Sequence, residues 1–111
     1  MKRVVITGLG IVSCLGNDRE SVTKSLKEGI SGIRFREDFA EMGLKCNVGA
    51  TLDIDPKEHI DRKIMRFMGP SASYAYIATD RAIADAGLTE EMVSNPRTGL
   101  VMGSGGVSGE M

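Results

Sequence analysis

The sequence predicts an α/β fold in which parallel strands are covered by helices. Two apolar runs carry this prediction: VVI at residues 4–6 and LVM at residues 100–102. Both runs are continuous, whereas a strand with one solvated face would alternate apolar and polar residues. Helix signals lie between the two runs, and the order strand, helices, strand is typical of a domain built on a parallel sheet.

The composition is that of one neutral globular domain. The 111 residues are 41% hydrophobic, which suffices for one modest core. Fourteen basic and fifteen acidic side chains leave a formal charge of −1, so any electrostatic partner must recognise a local patch. No apolar run approaches the roughly 20 residues of a membrane span, and the polar start of the chain lacks a signal-peptide core. We therefore expect a cytoplasmic protein with no nucleic acid partner and no membrane association.

Three glycines punctuate the segment after the first predicted strand: Gly8, Gly10 and Gly16. A dinucleotide-binding fingerprint would begin at Gly8 and Gly10, but Ser13 occupies its third glycine position. A phosphate loop would need a Gly-Lys-Ser or Gly-Lys-Thr ending, which is missing. The favoured interpretation is a strand that leaves the core through a glycine bend, because glycine permits sharp turns and close backbone contact.

The two cysteines, Cys14 and Cys46, are too few and too far apart for a disulfide framework or a zinc knuckle. They fit a reducing compartment. Cys14 lies on the glycine bend, but no histidine is near it in sequence, and the chain has only His59. We expect Cys14 to be a small packed thiol rather than a nucleophile.

A first helix is predicted over residues 18–28. Asn17 offers a capping side chain and Glu20 follows three positions later, an arrangement that satisfies free amides at a helix start. Gly29 can end the helix in a left-handed conformation.

The region from residue 30 to residue 56 has no regular pattern, and short strands are expected at residues 45–48 and 50–52. The acidic side chains Asp53, Asp55 and Glu58 lack the glycine and terminal glutamate of a calcium loop. We interpret them as part of a solvated loop.

A short helix with a basic face is predicted over residues 59–68. Its apolar residues recur at three- and four-residue spacing: Ile60, Ile64, Phe67 and Met68. Arg62 and Arg66 lie one turn apart with Lys63 beside them, and only Asp61 offsets their charge. From the pattern alone, a solvated charged face is favoured over a docking patch for an acidic partner.

A longer helix should begin at Pro70, a residue suited to the first helical position, and end before Gly87. Small residues fall on one side of it at helical spacing: Ala72, Ala75, Ala78, Thr79, Ala82 and Ala86. Another element can therefore approach this face closely. The second predicted strand follows at residues 98–102 and leads into the glycine-rich segment at residues 103–106, a loop type that often lines a site at the carboxyl end of a parallel sheet. Only residues 107–111 remain, so we expect the domain to continue beyond this sequence.

Five motifs, in the same order, resemble the beginning of the bacterial β-ketoacyl-acyl carrier protein synthases, and most closely the synthase I type. They are VVITGLGIVSCLG from residue 4, SGI at 31–33, DRKIMRFM at 61–68, AIADAGL at 82–88 and VMGSGG at 101–106. The resemblance covers the whole chain but about the first quarter of such an enzyme. It implies a thiolase-like fold, of which residues 1–111 supply the opening part of the N-terminal half.

The resemblance also implies a chemistry whose residues this chain does not contain. In these enzymes a cysteine takes an acyl group from acyl carrier protein, malonyl-carrier protein loses carbon dioxide, and two histidines stabilise the enolate that attacks the acyl-enzyme. Neither cysteine of this chain nor His59 matches those positions, so the expected catalytic set here is empty. No cofactor and no metal are implied.

The site residues that the resemblance implies are peripheral to this chemistry. Arg62, Lys63 and Arg66 match a docking surface for acyl carrier protein carrying phosphopantetheine thioesters. Gly105 and Gly106 match a glycine loop beside the acyl-chain pocket, where glycine favours synthase I over synthase II. A homodimer is implied for the complete enzyme. The alternatives are a stand-alone carrier-protein or partner-binding module and, more weakly, a nucleotide-binding domain that uses Gly8 and Gly10.

Overall fold

The computed structural model describes residues 1–106. Within them the elements follow in the order α1 (Arg19–Glu28), β1 (Ile33–Phe35), α2 (Glu37–Glu41), β2 (Val48–Ala50), a 3₁₀ turn (Pro56–Glu58), α3 (Arg62–Met65), α4 (Pro70–Ala86) and α5 (Glu90–Val93). The chain divides into two compact units. Ile11–Ile54 form one, and Met1–Gly10 together with the chain from Asp55 onwards form the other.

Helix α1 confirms the first predicted helix but not its predicted cap. Asp18 is the N-cap: its Oδ1 accepts the Ser21 N–H at 2.8 Å, and its Oδ2 accepts the Ser21 hydroxyl at 2.8 Å. Asn17, the expected cap, instead donates its side-chain amide to the carbonyl of Asp53 at 2.8 Å. Gly29 ends the helix with a φ of 65°, as expected for a left-handed C-cap.

The glycine bend before α1 is a tight hydrogen-bonded turn. Ser13 and Gly16 exchange two backbone hydrogen bonds, with N···O distances of 3.1 and 3.2 Å. Gly16 has a φ of 148°, a conformation that L side chains rarely adopt. Ser25, buried on α1, donates its hydroxyl to the carbonyl of Leu15 at 2.9 Å. The bend and the helix are therefore joined by a partly buried hydrogen bond.

The unit formed by Ile11–Ile54 contains a sheet of two antiparallel strands. This pairing was not predicted from the sequence. Ile33 pairs with Ala50 and Phe35 with Val48. The two short strands expected at residues 45–48 and 50–52 are wrong, because a single strand, β2, forms at Val48–Ala50 and takes β1 as its partner.

Helix α4 confirms the longer predicted helix, the third in chain order, at both ends. It begins at Pro70 in the first turn and ends before Gly87, whose φ is 66°. Ser73 and Ile77 are its buried residues, and the Ser73 hydroxyl donates to the carbonyl of Gly69 at 3.1 Å.

The element that approaches the small-residue face of α4 is the segment around Gly8 and Gly10. A Cβ atom at Gly8 would lie 2.5 Å from the carbonyl oxygen of Ala82. A Cβ atom at Gly10 would collide with the carbonyl oxygen of Ala78. The close approach predicted for this face is confirmed, and both glycines serve backbone packing, which does not support the nucleotide-binding interpretation.

The two apolar runs predicted as buried strands are neither strands nor buried in the described residues. Val4 is 92% exposed and Val101 is 95% exposed, and no strand is assigned at residues 4–6 or 98–102. A strand forms only where a second strand supplies hydrogen-bond partners, and neither run has such a partner within the described residues. The predicted burial is therefore wrong for this chain by itself. Among residues 1–106, no helix combines the length and apolar character needed to cross a membrane.

Candidate functional site

Of the basic segment predicted as one helix over residues 59–68, only Arg62–Met65 form a helix, the one-turn helix α3, and a 3₁₀ turn at Pro56–Glu58 precedes the segment. Asp55 caps the 3₁₀ turn, because its Oδ1 accepts the Lys57 N–H at 2.9 Å. Asp61 caps α3 in the same way, accepting the Lys63 N–H at 2.7 Å. With Asp61 as its N-cap and Arg66 as its C-cap, α3 does not extend over residues 59–68.

A single buried side chain anchors this segment. Ile60, between the two capped turns, is 5% exposed. The apolar face expected on a continuous helix is otherwise wrong: Ile64 is 45% exposed and Phe67 is 79% exposed. Because α3 ends at Met65, Phe67 is outside the helix, and the three- and four-residue spacing no longer places these side chains on one buried face.

Three cations from the two turns line a groove of about 490 Å³ beside α3. Its lining consists of Lys57, Arg62, Met65 and Arg66. Two of the three residues predicted for partner docking, Arg62 and Arg66, are thus brought together, while the third, Lys63, is exposed but does not line the groove. Sequence reasoning missed Lys57, because its position depends on the 3₁₀ turn. The Asp-Pro step at residues 55–56 was the available signal for that turn.

The cations of this groove have no carboxylate partner in the described part of the chain. No Asp or Glu oxygen there lies within 4.0 Å of the charged nitrogens of Lys57, Arg62 or Arg66. Two of the acidic residues near them in sequence, Asp55 and Asp61, cap the adjoining turns. The Arg66 guanidinium lies over the exposed ring of Phe67, at 5.5 Å from the ring centroid, which limits its conformations. The groove is therefore a positive surface that can accept an anionic group from solution.

Gly105 and Gly106, predicted to line an acyl pocket, are exposed in the described residues. The Ser104 hydroxyl donates to the carbonyl of Gly106, and the Gly106 N–H donates back to Ser104 Oγ at 3.3 Å. No atom outside their own neighbourhood lies within 4 Å of a Cβ atom placed on either glycine. The role of the loop in a pocket stays a prediction.

Both cysteines are exposed, so the packed thiol expected at Cys14 is wrong for this chain. Cys14 does contact Gly32 on one side, since a Cβ atom there would lie 2.6 Å from its Sγ. Cys46 donates weakly to the carbonyl of Val48 at 3.9 Å. Neither contact supplies a base that would generate a thiolate.

The sequence matches the family described as β-ketoacyl synthase, N-terminal domain, over residues 1–110. It is 55% identical to 3-oxoacyl-[acyl-carrier-protein] synthase 1 of Haemophilus influenzae over 95% of this chain and 26% of that protein. It is 49% identical to the synthase 1 of Escherichia coli K12 over 97% of this chain and 27% of that protein.

Structural similarity agrees with the sequence matches. A crystal structure of a β-ketoacyl synthase from Burkholderia phymatum STM815 superimposes with a TM-score of 0.68 at 35% identity, covering 82% of this chain and 23% of that one. The chain spans about a quarter of the length of the relatives that it matches. It belongs to the family of the β-ketoacyl synthase N-terminal domain.

Proposed function

We propose that this chain is the N-terminal portion of a β-ketoacyl-acyl carrier protein synthase of the synthase I type. The observation that carries the proposal is the 55% identity to a 3-oxoacyl-[acyl-carrier-protein] synthase 1 over 95% of the chain. The proposed enzyme is a cytoplasmic homodimeric acyltransferase of fatty acid synthesis. It needs no cofactor, and its nucleophile and histidines come from segments outside residues 1–111.

The proposed reaction elongates an acyl chain by two carbons. A cysteine thiolate takes the acyl group from the phosphopantetheine thioester of acyl carrier protein, which leaves as the thiol. Malonyl-carrier protein then loses carbon dioxide, and the resulting thioester enolate attacks the acyl-enzyme carbonyl. The products are β-ketoacyl-carrier protein, carbon dioxide and the free cysteine. Histidines that donate hydrogen bonds to the enolate oxygen stabilise the charge that develops there.

Within this enzyme, residues 1–111 contribute strands to the core and a docking surface for acyl carrier protein. We propose that residues 4–6 and 98–102 become neighbouring parallel strands of a thiolase-like core, where their continuous apolar character fits a sheet covered on both faces. Gly105 and Gly106 then border the acyl pocket. Arg62, Lys63 and Arg66 face acyl carrier protein, and their exposure and lack of carboxylate partners in the described residues support this role.

The test is an assay of the complete enzyme with acyl- and malonyl-carrier protein. We expect carbon dioxide release and β-ketoacyl product, both retained in the Cys14→Ser and Cys46→Ser variants. A purified polypeptide of residues 1–111 should give only background release. Loss of turnover in Cys14→Ser, with folding intact, would overturn the assignment of the chemistry to other segments.

The alternative is a stand-alone module that binds a carrier protein or another acidic partner. The positive groove would serve such a module equally well. The two functions differ in what covers the apolar runs, because a stand-alone module must tolerate them in water. The solution behaviour of the isolated chain separates the alternatives and is among the predictions below.

A further inference from the structure

A hydrogen bond joins the two ends of the unit Ile11–Ile54. Asn17, directly after the glycine bend, donates its side-chain amide to the carbonyl of Asp53, one residue before the end of the unit. We propose that Ile11–Ile54 opens and closes as one cooperative unit, at a lower free energy than α4 opens, and that Asn17 supplies the hydrogen bond that keeps it closed. This inference depends on the contacts within the chain and not on the proposed function.

The distribution of buried side chains makes this unit the less stable of the two. Ile60 and Ile77 are the buried apolar side chains among residues 1–106, and both belong to the unit that contains α4. Within Ile11–Ile54 the buried residue is the polar Ser25. Segments with few buried apolar contacts open locally at a lower free energy than the core does. We therefore expect Ile11–Ile54 to open while α4 remains folded.

The hydrogen bonds of this unit meet at the glycine bend. Ser25 on α1 donates its hydroxyl to the carbonyl of Leu15, which lies in the bend, at 2.9 Å. Asn17 connects the end of the bend to Asp53 at 2.8 Å. Asp53 follows β2 by three residues, and β2 pairs with β1. The bend thus holds α1 through one bond and the segment after β2 through the other, so its displacement would loosen both, which makes the opening cooperative.

The long span of the Asn17 bond distinguishes it from the bonds of local turns. It joins residues 36 positions apart, and the entropy of the chain between them opposes their approach. Asn95 in the other unit makes a local bond, because its Oδ1 accepts the N–H of Arg97, two residues along, at 3.0 Å. A turn of this kind needs no distant segment. Asn95→Ala is therefore a matched control for Asn17→Ala: the same substitution removes a hydrogen bond that closes no long loop.

The experiment is native-state hydrogen exchange of the complete enzyme, measured by mass spectrometry at several low denaturant concentrations. Amides of α1, β1 and β2 should share one opening free energy and one dependence on denaturant, and those of α4 should exchange more slowly. Asn17→Ala should speed exchange in the first three elements about fivefold, the order expected for the loss of one hydrogen bond, and should leave α4 unchanged. Asn95→Ala should leave exchange in α1, β1 and β2 unchanged.

Three results would overturn the inference. If α1 exchanges as slowly as α4 while β1 and β2 exchange fast, Ile11–Ile54 does not open as a whole. If Asn17→Ala speeds exchange in α4 as much as in α1, the bond supports the global fold. Exchange in Asn17→Ala that equals the parent's would show that another contact keeps the unit closed.

A second variant keeps the test decisive if Asn17→Ala does not fold. Asn17→Asp has nearly the same shape, but its carboxylate cannot donate to the carbonyl of Asp53. It must still speed exchange in α1, β1 and β2 while α4 stays unchanged, and exchange equal to the parent's would contradict the inference. Condensation activity is measured separately, so failure of this inference leaves the proposed function standing.

Discussion

The backbone N–H of Leu9 donates a hydrogen bond to Oδ2 of Asp85, with 2.9 Å between the two atoms. Asp85 lies in the last turn of α4, where a carboxylate faces the unfavourable end of the helix dipole. Leu9 lies between the two glycines that pack on α4. The bond therefore fixes the register of the glycine segment along the helix, and this role explains an aspartate at an otherwise unfavourable position.

Removing the Asp85 carboxylate should loosen the position of the segment around Leu9 along α4. Asp85→Ala in the complete enzyme should lower the free energy of unfolding by about 1 kcal/mol, the usual value for one hydrogen bond. Hydrogen exchange measured by mass spectrometry should become faster in the peptide that contains Leu9. Asp85→Asn keeps an oxygen acceptor and should lose less than Asp85→Ala on both measurements. Unchanged exchange at Leu9 in Asp85→Ala would show that the glycine contacts alone hold the segment.

A methyl group at Gly10 should disrupt the packing of the glycine segment against α4. Gly10→Ala places a Cβ atom against the carbonyl oxygen of Ala78, and a backbone atom cannot rotate away as a side chain can. We expect a loss of about 2 kcal/mol in unfolding free energy, within the range for overpacked sites. Gly99→Ala is the control, since no atom outside its neighbourhood lies within 4 Å of a Cβ atom placed there. Denaturant unfolding of both variants measures the difference, and equal stability would contradict the packing described here.

The parts of the fold that the sequence predicted are those determined by local contacts. Helix α4 was predicted at both ends because Pro70 and Gly87 act on the backbone beside them. The antiparallel pairing of β1 with β2 was not predicted, because strand pairing depends on residues distant in sequence and a three-residue strand has little pattern. The same reason explains the two apolar runs, whose pattern is that of strands but whose burial depends on partners elsewhere.

Only part of the candidate site was predicted, for a related reason. Arg62 and Arg66 are recognisable because their spacing within the motif is short and regular. Lys57 joins them only through the turn at Pro56–Glu58, whereas Lys63 lies outside the groove lining. A periodicity argument over residues 59–68 assumes one continuous helix, and a capping aspartate within the segment is the signal that this assumption fails.

An ion pair in the other unit should give a measurable pH effect. Arg36 donates to both carboxylate oxygens of Asp38, at 2.9 and 2.6 Å. These hydrogen bonds lower the pKa of the Asp38 carboxyl and raise the pKa of the Arg36 guanidinium. A lowered carboxyl pKa means that the pair stabilises the fold above the ordinary carboxyl pKa. This contribution is lost as the pH falls through the lowered value.

Arg36→Gln should therefore raise the Asp38 pKa towards its ordinary value. The variant should be slightly less stable than the parent at neutral pH, and the difference should disappear in acid. The effect should be small, because both side chains are partly exposed and solvent screens the pair. Urea unfolding as a function of pH measures it, with Arg34→Gln on the neighbouring strand as control. A difference between Arg36→Gln and parent that grows in acid would have the wrong sign for this pair.

The isolated chain should behave as a protein with exposed apolar surface. Val4, Val5 and Val101 are 92%, 72% and 95% exposed, and a stable monomer rarely leaves such runs in water. A polypeptide of residues 1–111 should bind a hydrophobic dye and aggregate, whereas the complete enzyme should bind little dye and form only its homodimer. The double substitution Val5→Thr with Val101→Thr should reduce dye binding by the fragment. A monomeric fragment with one cooperative unfolding transition would favour the stand-alone module instead.

The predicted docking residues should control the use of carrier-protein substrates. Lys63→Glu combined with Arg66→Glu in the complete enzyme should raise the KM for malonyl-carrier protein about tenfold at low ionic strength, since each exposed contact contributes up to about 1 kcal/mol. The increase should shrink as salt screens the remaining charges. Turnover of malonyl-pantetheine should be nearly unchanged, because this small substrate lacks the acidic protein surface that the cations attract. An equal loss with both substrates would mean that these charges maintain the fold and do not select the partner.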